Sequence, residues 1–314
     1  MFPGELDQYD SAQLRDYVEG LLIRLGVPRD EGEKVALHDY IRHLEISRGE
    51  PSTEWASPRR ALCLESKLLS IGVDLEGRRI FSFYLNGAEL CKALRGNELC
   101  RIHDDSFRLL PNERSAALAG IGFVKILAGE ITNSMTYTDT RMADGENWSV
   151  SFYGRDENGI IVTYRSAYVT LDPYLGLPVY YRLVWKDYPV RNHARKVSRD
   201  DAFEKVLRAW CEALVREGKK PVARSQIDLK KVRVELLIVT HPHEIIRDRL
   251  LKDSPRLFMP GWDMVDSGRR EGRIVWEVEM WTKRMERSPG VFYEGRGVNG
   301  RVDAETGELI FLTF

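Results

Sequence analysis

The chain has 314 residues, of which 43% are hydrophobic and 30% charged, a composition that excludes intrinsic disorder and favours more than one folded domain. Its formal net charge of -1 excludes the global positive field that attracts nucleic acid or an anionic membrane. The four cysteines form neither a CxxC pair nor an evenly spaced framework. We therefore expect reduced thiols, with a Cys91–Cys100 bridge left open for an exported protein.

Two features bear on cellular location. Residues 1–7 have neither the positive charge nor the apolar run of a secretory signal, so the sequence as given predicts a cytoplasmic protein. The longest nearly apolar stretch, Ala116 to Gly129, contains Lys125 and is shorter than the roughly 20 residues of a membrane span. It predicts a buried helix.

The N-terminal part predicts helices followed by strands. A helix capped by Ser11 has apolar residues at helical spacing: Leu14, Val18, Leu21, Leu22 and Leu25. A second helix is expected near Ile41, and strands at Leu68–Asp74 and Arg79–Leu85. We expect residues 1–110 to form an N-terminal α+β region.

The middle of the chain predicts a helix and a three-stranded meander. The helix has an apolar stripe at Ala117, Ile121, Val124 and Ala128. Strands are expected at Trp148–Phe152, Ile160–Leu171 and Val179–Trp185, joined by turns at Asp156–Gly159 and Asp172–Gly176. This region is assigned to residues 111–195.

The same order of elements returns in residues 196–314. Ser198 begins a helix with Phe203, Val206, Leu207, Trp210 and Leu214 on one face. Strands are expected at Val232–Ile238 and Ile274–Trp281, with a polar insertion between them. The segment Val302 to Phe311 matches Leu171 to Tyr180 without a gap, at an offset of 131 residues set by Asp172 and Asp303. In each copy Asp bonds the turn backbone and a glycine supplies positive φ; Val73 to Gly77 is a shortened third copy.

Residues 111–187 also share features with a known family: Ser115-Ala116-Ala117, the run from Phe152 to Ile160, Leu171-Asp172 to Gly176, and Trp185. With these features the segment resembles the PepSY-like repeat of YcdB/YcdC-type proteins. Val302 to Ile310 resembles a second copy of its strand-turn-strand ending. The resemblance covers about half of the chain.

The resemblance implies an α+β fold built from cystatin-like, PepSY-like modules, each a helix followed by an antiparallel sheet, at 111–195 and, with an insertion, at 196–314. Members of the wider group are mostly extracytoplasmic bacterial proteins, and related propeptide domains are associated with peptidase inhibition or regulation. The family pattern contains no catalytic residues that could be transferred. The absent signal sequence departs from the family and leaves an extracytoplasmic location in doubt.

Several motifs suggest chemistry but have simpler explanations. His243-Glu244-Ile245-Ile246-Arg247 resembles HExxH, but arginine cannot ligate zinc. His241 and His243 could share a strand face, yet a metal site there would need a third ligand from elsewhere. We therefore expect no metal and no cofactor.

Other motifs that could bind a ligand or catalyse a reaction also have simpler structural explanations. Gly295 to Gly300 matches GxGxxG in letters, but a strand follows it, so a hairpin loop is expected and not a dinucleotide site. The pairs Asp263/Asp266 and Glu277/Glu279 could serve acid–base catalysis, although a solvent-facing strand side explains the glutamates. Basic runs at 191–196 and 230–233 favour solvated segments over phosphate sites.

The aromatic residues point to one contact candidate. Trp148, Trp185, Trp210, Trp276 and Trp281 fall at positions expected to face a core. Trp262 lies in a segment rich in proline and glycine and is the candidate for contact with a partner.

No residue constellation demands an enzyme. The leading hypothesis is a non-enzymatic binding or regulatory protein that engages a peptidase or another protein partner through an exposed sheet edge. The alternative is a small-molecule enzyme or binder that uses a cone between sheet and helix. The oligomeric state stays open.

Overall fold

The computed structural model describes residues 8–27, 41–49, 61–93, 108–190, 194–240 and 271–314, except 76, 78, 144, 145, 187, 284, 289, 290 and 294. The chain divides into two compact units. Unit 1 comprises Met1–Arg155 and Arg165–Lys186, and unit 2 comprises Asp156–Tyr164 and Asp187–Phe314. The three-part division expected from the sequence stays a prediction.

Unit 1 contains three helices and an antiparallel sheet in the described residues. The helices are α1 (Ser11–Arg24), α2 (Gly87–Ala93) and α3 (Glu113–Ala128), the last followed by a 3-10 helix (Gly129–Ser134). The strands are β1 (Glu45–Gly49), β2 (Ala61–Glu65), β3 (Leu69–Asp74), β4 (Arg79–Leu85), β5 (Met135–Ala143), β6 (Asn147–Arg155), β7 (Ile161–Leu171) and β8 (Pro178–Trp185). They are ordered β1-β2-β3-β4-β8-β7-β6-β5, and the first residues of β7 belong to unit 2.

Unit 2 contains one long helix and six strands in the described residues. The helix is α4 (Arg199–Arg216), and short 3-10 helices follow at Arg224–Gln226 and Leu229–Lys231. The strands are β9 (Arg233–Thr240), β10 (Gly272–Trp281), β11 (Met285–Ser288), β12 (Val291–Tyr293), β13 (Gly297–Asp303) and β14 (Leu309–Thr313). The order β9-β10-β13-β14 is antiparallel, and Ile161 and Val162 of β7 add a parallel pairing to β9. The α+β class expected from the sequence is confirmed.

Each long helix begins at a side chain that accepts backbone N–H groups. Asp10, one residue before the expected cap Ser11, accepts from Ala12 and Gln13 at 2.9 Å, because its carboxylate reaches the first turn. Asn112 and Ser198 accept from the backbone three residues further on. The cap of α1 was therefore predicted one residue too late.

The helix stripes that face the sheets repeat every four residues. In α4 the buried stripe is Ala202, Val206, Trp210 and Leu214. In α3 it is Ala116, Gly120, Val124 and Ala128. Ala117 and Ile121, expected in this stripe, are only half-buried, since α3 is apolar on most sides and its composition does not show which side meets the sheet.

Strand β5 was missed by the sequence analysis, so four strands follow α3 and not three. It pairs with β6, with an irregularity in register at Thr138. Thr136, Asp139 and Arg141 give β5 a polar character. An edge strand need not bury both faces, and the apolar alternation that marks a central strand is weak here.

The turns at Asp172 and Asp303 have the same geometry, as the sequence predicts. Each carboxylate accepts two backbone N–H groups, at 2.8 and 3.0 Å for Asp172 and at 2.9 Å twice for Asp303. Gly176 (φ 65°) and Gly307 (φ 73°) close the turns in the left-handed region. Asp74 accepts the Gly77 N–H at 2.9 Å in a shorter turn.

A second shared feature fixes the segment before each long helix. Leu110 N–H donates to the carbonyl of Pro173 in the Asp172 turn, and Val197 N–H donates to that of Ala304 in the Asp303 turn. The carbonyls of Leu110 and Val197 each accept an indole N–H at 2.9 Å, from Trp148 and Trp276 respectively. Within each unit, turn, helix start and strand are therefore tied together by equivalent bonds.

Candidate binding groove on unit 2

Most sequence candidates fall outside the described residues. These are Trp262, His241, His243, Cys100, Asp263 and Asp266. The contact role of Trp262 therefore stays a prediction. Cys63, Cys91 and Cys211 are free thiols in the structure, and the bridge to Cys100 was only an alternative to the expected reduced thiols. Among the described residues, no group of three or more His, Cys, Asp or Glu side chains could hold a metal ion.

The GxGxxG sequence lies where a strand begins. Gly297 to Gly300 belong to strand β13. Only Gly295 and Arg296 of this sequence therefore lie in the expected loop. A Cβ on Gly295 would clash with the Thr282 carbonyl, and one on Gly297 would lie 2.8 Å from the Trp281 ring. These two glycines permit close backbone packing.

Strand β10 separates its side chains onto two faces. Val278 and Met280 are buried against α4, and Glu277, Glu279 and Trp281 alternate with them on the opposite face. Trp281 is 39% exposed, so its assignment to a core was wrong. Counting by twos from Glu277 would have placed Trp281 on the glutamate face.

The outer face of this sheet is covered by paired charges. Arg301 on β13 donates to Glu277 Oε1 from Nε at 2.9 Å and from Nη2 at 2.8 Å, and its guanidinium lies 5.3 Å from the centre of the Phe311 ring. Arg233 pairs with Glu235 at 2.8 Å. The bond to Glu235 raises the pKa of Arg233, so this side chain stays cationic. Glu277 is thus occupied by a neighbour, consistent with a solvent-facing strand side.

A groove lies at the end of this face. Its volume is about 460 Å³, and it is lined by Lys230, Lys231, Val232, Arg233, Glu279, Trp281 and Gly295. We call it the unit 2 groove.

Backbone bonds position the groove. Asp228 N–H donates to the Trp281 carbonyl at 2.8 Å, and Lys283 N–H donates to the Gln226 carbonyl at 2.7 Å. These bonds tie the 3-10 helix Leu229–Lys231 to the end of β10. Lys230 and Lys231 are thereby held beside Trp281, which lies 50 residues after Lys231 in the sequence.

The groove combines unpaired cations with an aromatic ring. In the part of the chain that the structure describes, Lys230 and Lys231 are exposed and form no ion pair. Trp281 donates its indole N–H to Glu279 at 3.1 Å, and one side of its ring lies against Gly297. The groove therefore offers positive charge, one carboxylate and exposed aromatic surface, a combination suited to recognition. The basic run at 230–233 is visible in the sequence, but nothing in the sequence places it next to Trp281.

The space between helix and sheet is filled in both units. In unit 2 it is occupied by Trp210, which is fully buried, together with Val206 and Leu214. In unit 1 it is occupied by Val124, Val150 and Phe152. No observation in these described residues favours the small-molecule cone.

Edge strands are present in both units. Among the described strands, β1 and β5 of unit 1 and β14 of unit 2 each pair with a single strand. Such strands present unpaired backbone groups to which an extended peptide can add.

Comparison of the chain with models of protein families finds no match, and comparison with curated proteins finds none either. Among solved structures the chain is similar to the Bacillus megaterium YpeB C-terminal domain, with a TM-score of 0.44 and 10% sequence identity. The similarity covers 91% of this chain and 96% of that one. A TM-score this low, with so few identical residues, transfers no property of that domain to this chain. The YcdB/YcdC-type resemblance stays a prediction.

Proposed function

We propose that this chain is a non-enzymatic binding protein whose unit 2 groove holds an extended, acidic segment of a protein partner. One observation supports this most directly: two unpaired lysines and the exposed ring of Trp281 line the same groove. Acidic side chains would pair with Lys230 and Lys231, and an apolar side chain would lie on Trp281. Trp is enriched among the residues that dominate binding energy at interfaces.

A peptide fits the groove better than a phosphate or a nucleic acid. Glu279 lies among the cations, where its carboxylate can accept N–H groups of a peptide backbone, whereas a phosphate group offers no N–H donor. The net charge of -1 gives no general attraction for a polyanion. Local positive charge beside an aromatic ring therefore favours a partner with both acidic and apolar side chains.

We also propose that the chain contains two PepSY-like copies, one from α3 to β8 and one from α4 to β14. Three equivalences support this: the Asp172 and Asp303 turns, the carbonyl contacts of Leu110 and Val197, and the buried four-residue stripes of the two helices. By family resemblance, a peptidase is the first class of partner to test. Its acidic surface segments would be the ligands.

The test is a binding titration with labelled peptides that alternate glutamate with leucine or phenylalanine, monitored by fluorescence polarisation. We expect Trp281→Ala to weaken binding at least tenfold, about 1.4 kcal/mol. The double variant Lys230→Ala/Lys231→Ala should weaken binding and reduce its dependence on salt. A matched control, Lys219→Ala/Lys220→Ala, removes the same charge outside the groove and should bind like the unaltered protein.

Three results would contradict the proposal. The first is equal binding of peptides in which lysine replaces every glutamate, since the lysines of the groove would then play no part. The second is unaltered affinity in the Trp281 and double-lysine variants, with melting temperatures equal to that of the parent. The third is failure of every acidic peptide to bind.

A further inference from the structure

Twelve of the described strands form three meanders of four, in which each strand pairs with the next. These are β1-β2-β3-β4, β5-β6-β7-β8 and β9-β10-β13-β14. In each meander an aspartate turn, at Asp74, Asp172 or Asp303, leads into the last strand, which is β4, β8 or β14. The ladder is irregular between the residues two and one before the aspartate in all three. The three last strands are therefore equivalent.

The pairing within each meander fixes which residues of the last strands correspond. The residue two before each aspartate pairs with Ser82 in β4, Tyr180 in β8 and Phe311 in β14. The residue after each of these is at most 1% exposed; these residues are Phe83, Tyr181 and Leu312. We call this buried residue the centre of its last strand.

Two of the three last strands pair with each other. β4 and β8 are antiparallel, with Phe83 opposite Tyr181. On either side, Ser82 lies opposite Arg182, and Tyr84 lies opposite Tyr180. Centre thus faces centre, and the residue before one centre faces the residue after the other. The irregular ladder of each strand is on the side of its own meander, so it does not prevent this symmetric pairing.

Strand β14 has no such partner among the strands that the structure describes, since it pairs with β13 alone. Its residues, Leu309–Thr313, include neither a charged residue nor a proline. Charges and prolines are the usual protection of an edge strand against further pairing. The other two strands with a single neighbour have charges, at Glu45 in β1 and at Asp139 and Arg141 in β5. The edge of β14 is thus open to another strand.

We propose that β14 binds β14 of a second copy of this chain, antiparallel and centred on Leu312, in the way that β4 binds β8. Leu312 then faces Leu312 of the second copy, and Phe311 faces Thr313 of the second copy. An interface between identical surfaces requires that the strand complement itself. The pairing of β4 with β8 shows this complementarity within the chain, because equivalent residues already face each other there.

A second copy fits this edge better than an unrelated peptide. Any extended peptide adds to a free edge through main-chain hydrogen bonds. Only another last strand reproduces the pairing of centre with centre, and β14 places no like charges opposite each other. The strand has five residues, so the contact is small and a reversible monomer–dimer equilibrium is expected.

The experiment is sedimentation velocity over a concentration series of the full chain. Phe311→Lys/Thr313→Lys and Phe311→Glu/Thr313→Glu should each raise the dimer dissociation constant at least tenfold, because like charges then face each other twice. An equimolar mixture of the two variants should associate at least tenfold more tightly than either alone, since lysine then faces glutamate. Unfolding of unit 2 would not produce this recovery. In the unaltered chain, the amides of Leu309–Thr313 should exchange more slowly at high concentration.

Two controls should leave association unchanged. Glu45→Lys/Ser47→Lys places two lysines at the same spacing on the edge strand β1. Trp281→Ala alters the unit 2 groove, on which this association does not depend, so the two proposals can fail separately.

Several outcomes would overturn the proposal. One is a chain that is monomeric at every concentration. Others are a dimer that the double lysine variant does not weaken and a mixture that associates no better than its components. A dimer that only the β1 variant weakens would assign the contact to β1 and also overturn it.

Discussion

Replacing Asp303 with alanine removes the carboxylate that holds the turn between β13 and β14. The side chain is 5% exposed, and it accepts the N–H groups of Glu305 and Thr306 at 2.9 Å each. Arg273 Nη1, on a side chain 19% exposed, lies 3.9 Å from its second oxygen. The variant loses two hydrogen bonds to a charged group and leaves Arg273 without this counter-charge.

The expected loss of stability follows from these contacts. Hydrogen bonds to charged groups contribute about 1.5–3 kcal/mol each, but Thr306 is exposed, so water replaces part of what is lost. We therefore expect a decrease of about 3 kcal/mol in the free energy of unfolding of unit 2. For a unit of this size the melting temperature should fall by about 10 °C.

Urea denaturation followed by circular dichroism measures this change, and calorimetry gives the shift in melting temperature. The matched control is Glu305→Ala, whose carboxylate pairs with Lys196 at 3.1 Å while the side chains are 32% and 68% exposed. An exposed pair contributes about 0–1 kcal/mol, so the control should be nearly neutral. Asp172→Ala should destabilise unit 1 to a similar extent as Asp303→Ala destabilises unit 2. If Asp303→Ala lowers the free energy of unfolding no more than Glu305→Ala does, the Asp303 carboxylate does not stabilise the turn.

Three further predictions concern packing and titration. A Cβ on Gly120 would lie 2.9 Å from the Val150 side chain, so Gly120→Ala should lower the free energy of unfolding by about 1–3 kcal/mol. Gly122 has open space at that position, so Gly122→Ala should raise it by up to about 1 kcal/mol. The midpoints of urea denaturation in dilute samples measure both changes. The buried hydroxyl of Tyr181 has no hydrogen-bond partner among the described residues. Tyr181→Phe should therefore leave the stability in thermal melts unchanged or raise it. A decrease of more than about 1 kcal/mol in the free energy of unfolding would contradict this prediction. Burial raises the pKa of Tyr17 from 10.0 to about 12, so its folded state keeps a proton that the unfolded state loses. This contribution is complete below about pH 10, and about 2 kcal/mol of it is lost by pH 12. Tyr17→Phe should therefore flatten the alkaline decline in stability, and an unchanged slope would contradict this prediction.

The local elements were predictable because their causes lie within a few residues. The turns at Asp172 and Asp303 follow from a carboxylate that bonds N–H groups two and three residues ahead and from a glycine at positive φ. Helix α4 has a cap and one apolar stripe, so both its start and its buried side were read correctly. Strand β4 was predicted with the observed bounds, Arg79–Leu85.

The candidate site was not predictable in the same way. Trp281 was assigned to a core because it is large and apolar. Side chains alternate along β10, however, and this alternation places Trp281 on the same face as Glu277 and Glu279. Its position beside Lys230 depends on the backbone bond from Asp228 to Trp281, which joins distant parts of the sequence. No local pattern encodes that bond.

Sequence alone therefore determined the α+β class, the Asp-Gly turns, the caps to within one residue and the alternation of the central strands. Tertiary structure decided the edge strand β5, the parallel pairing of Ile161 and Val162 with β9, the unit 2 groove and the exposed side of α3. The physical reason is the range of the interactions. Turns and helix caps depend on hydrogen bonds between residues that are close in the sequence. Tertiary contacts, in contrast, decide which side of an apolar helix packs on a sheet and which cations lie beside a tryptophan.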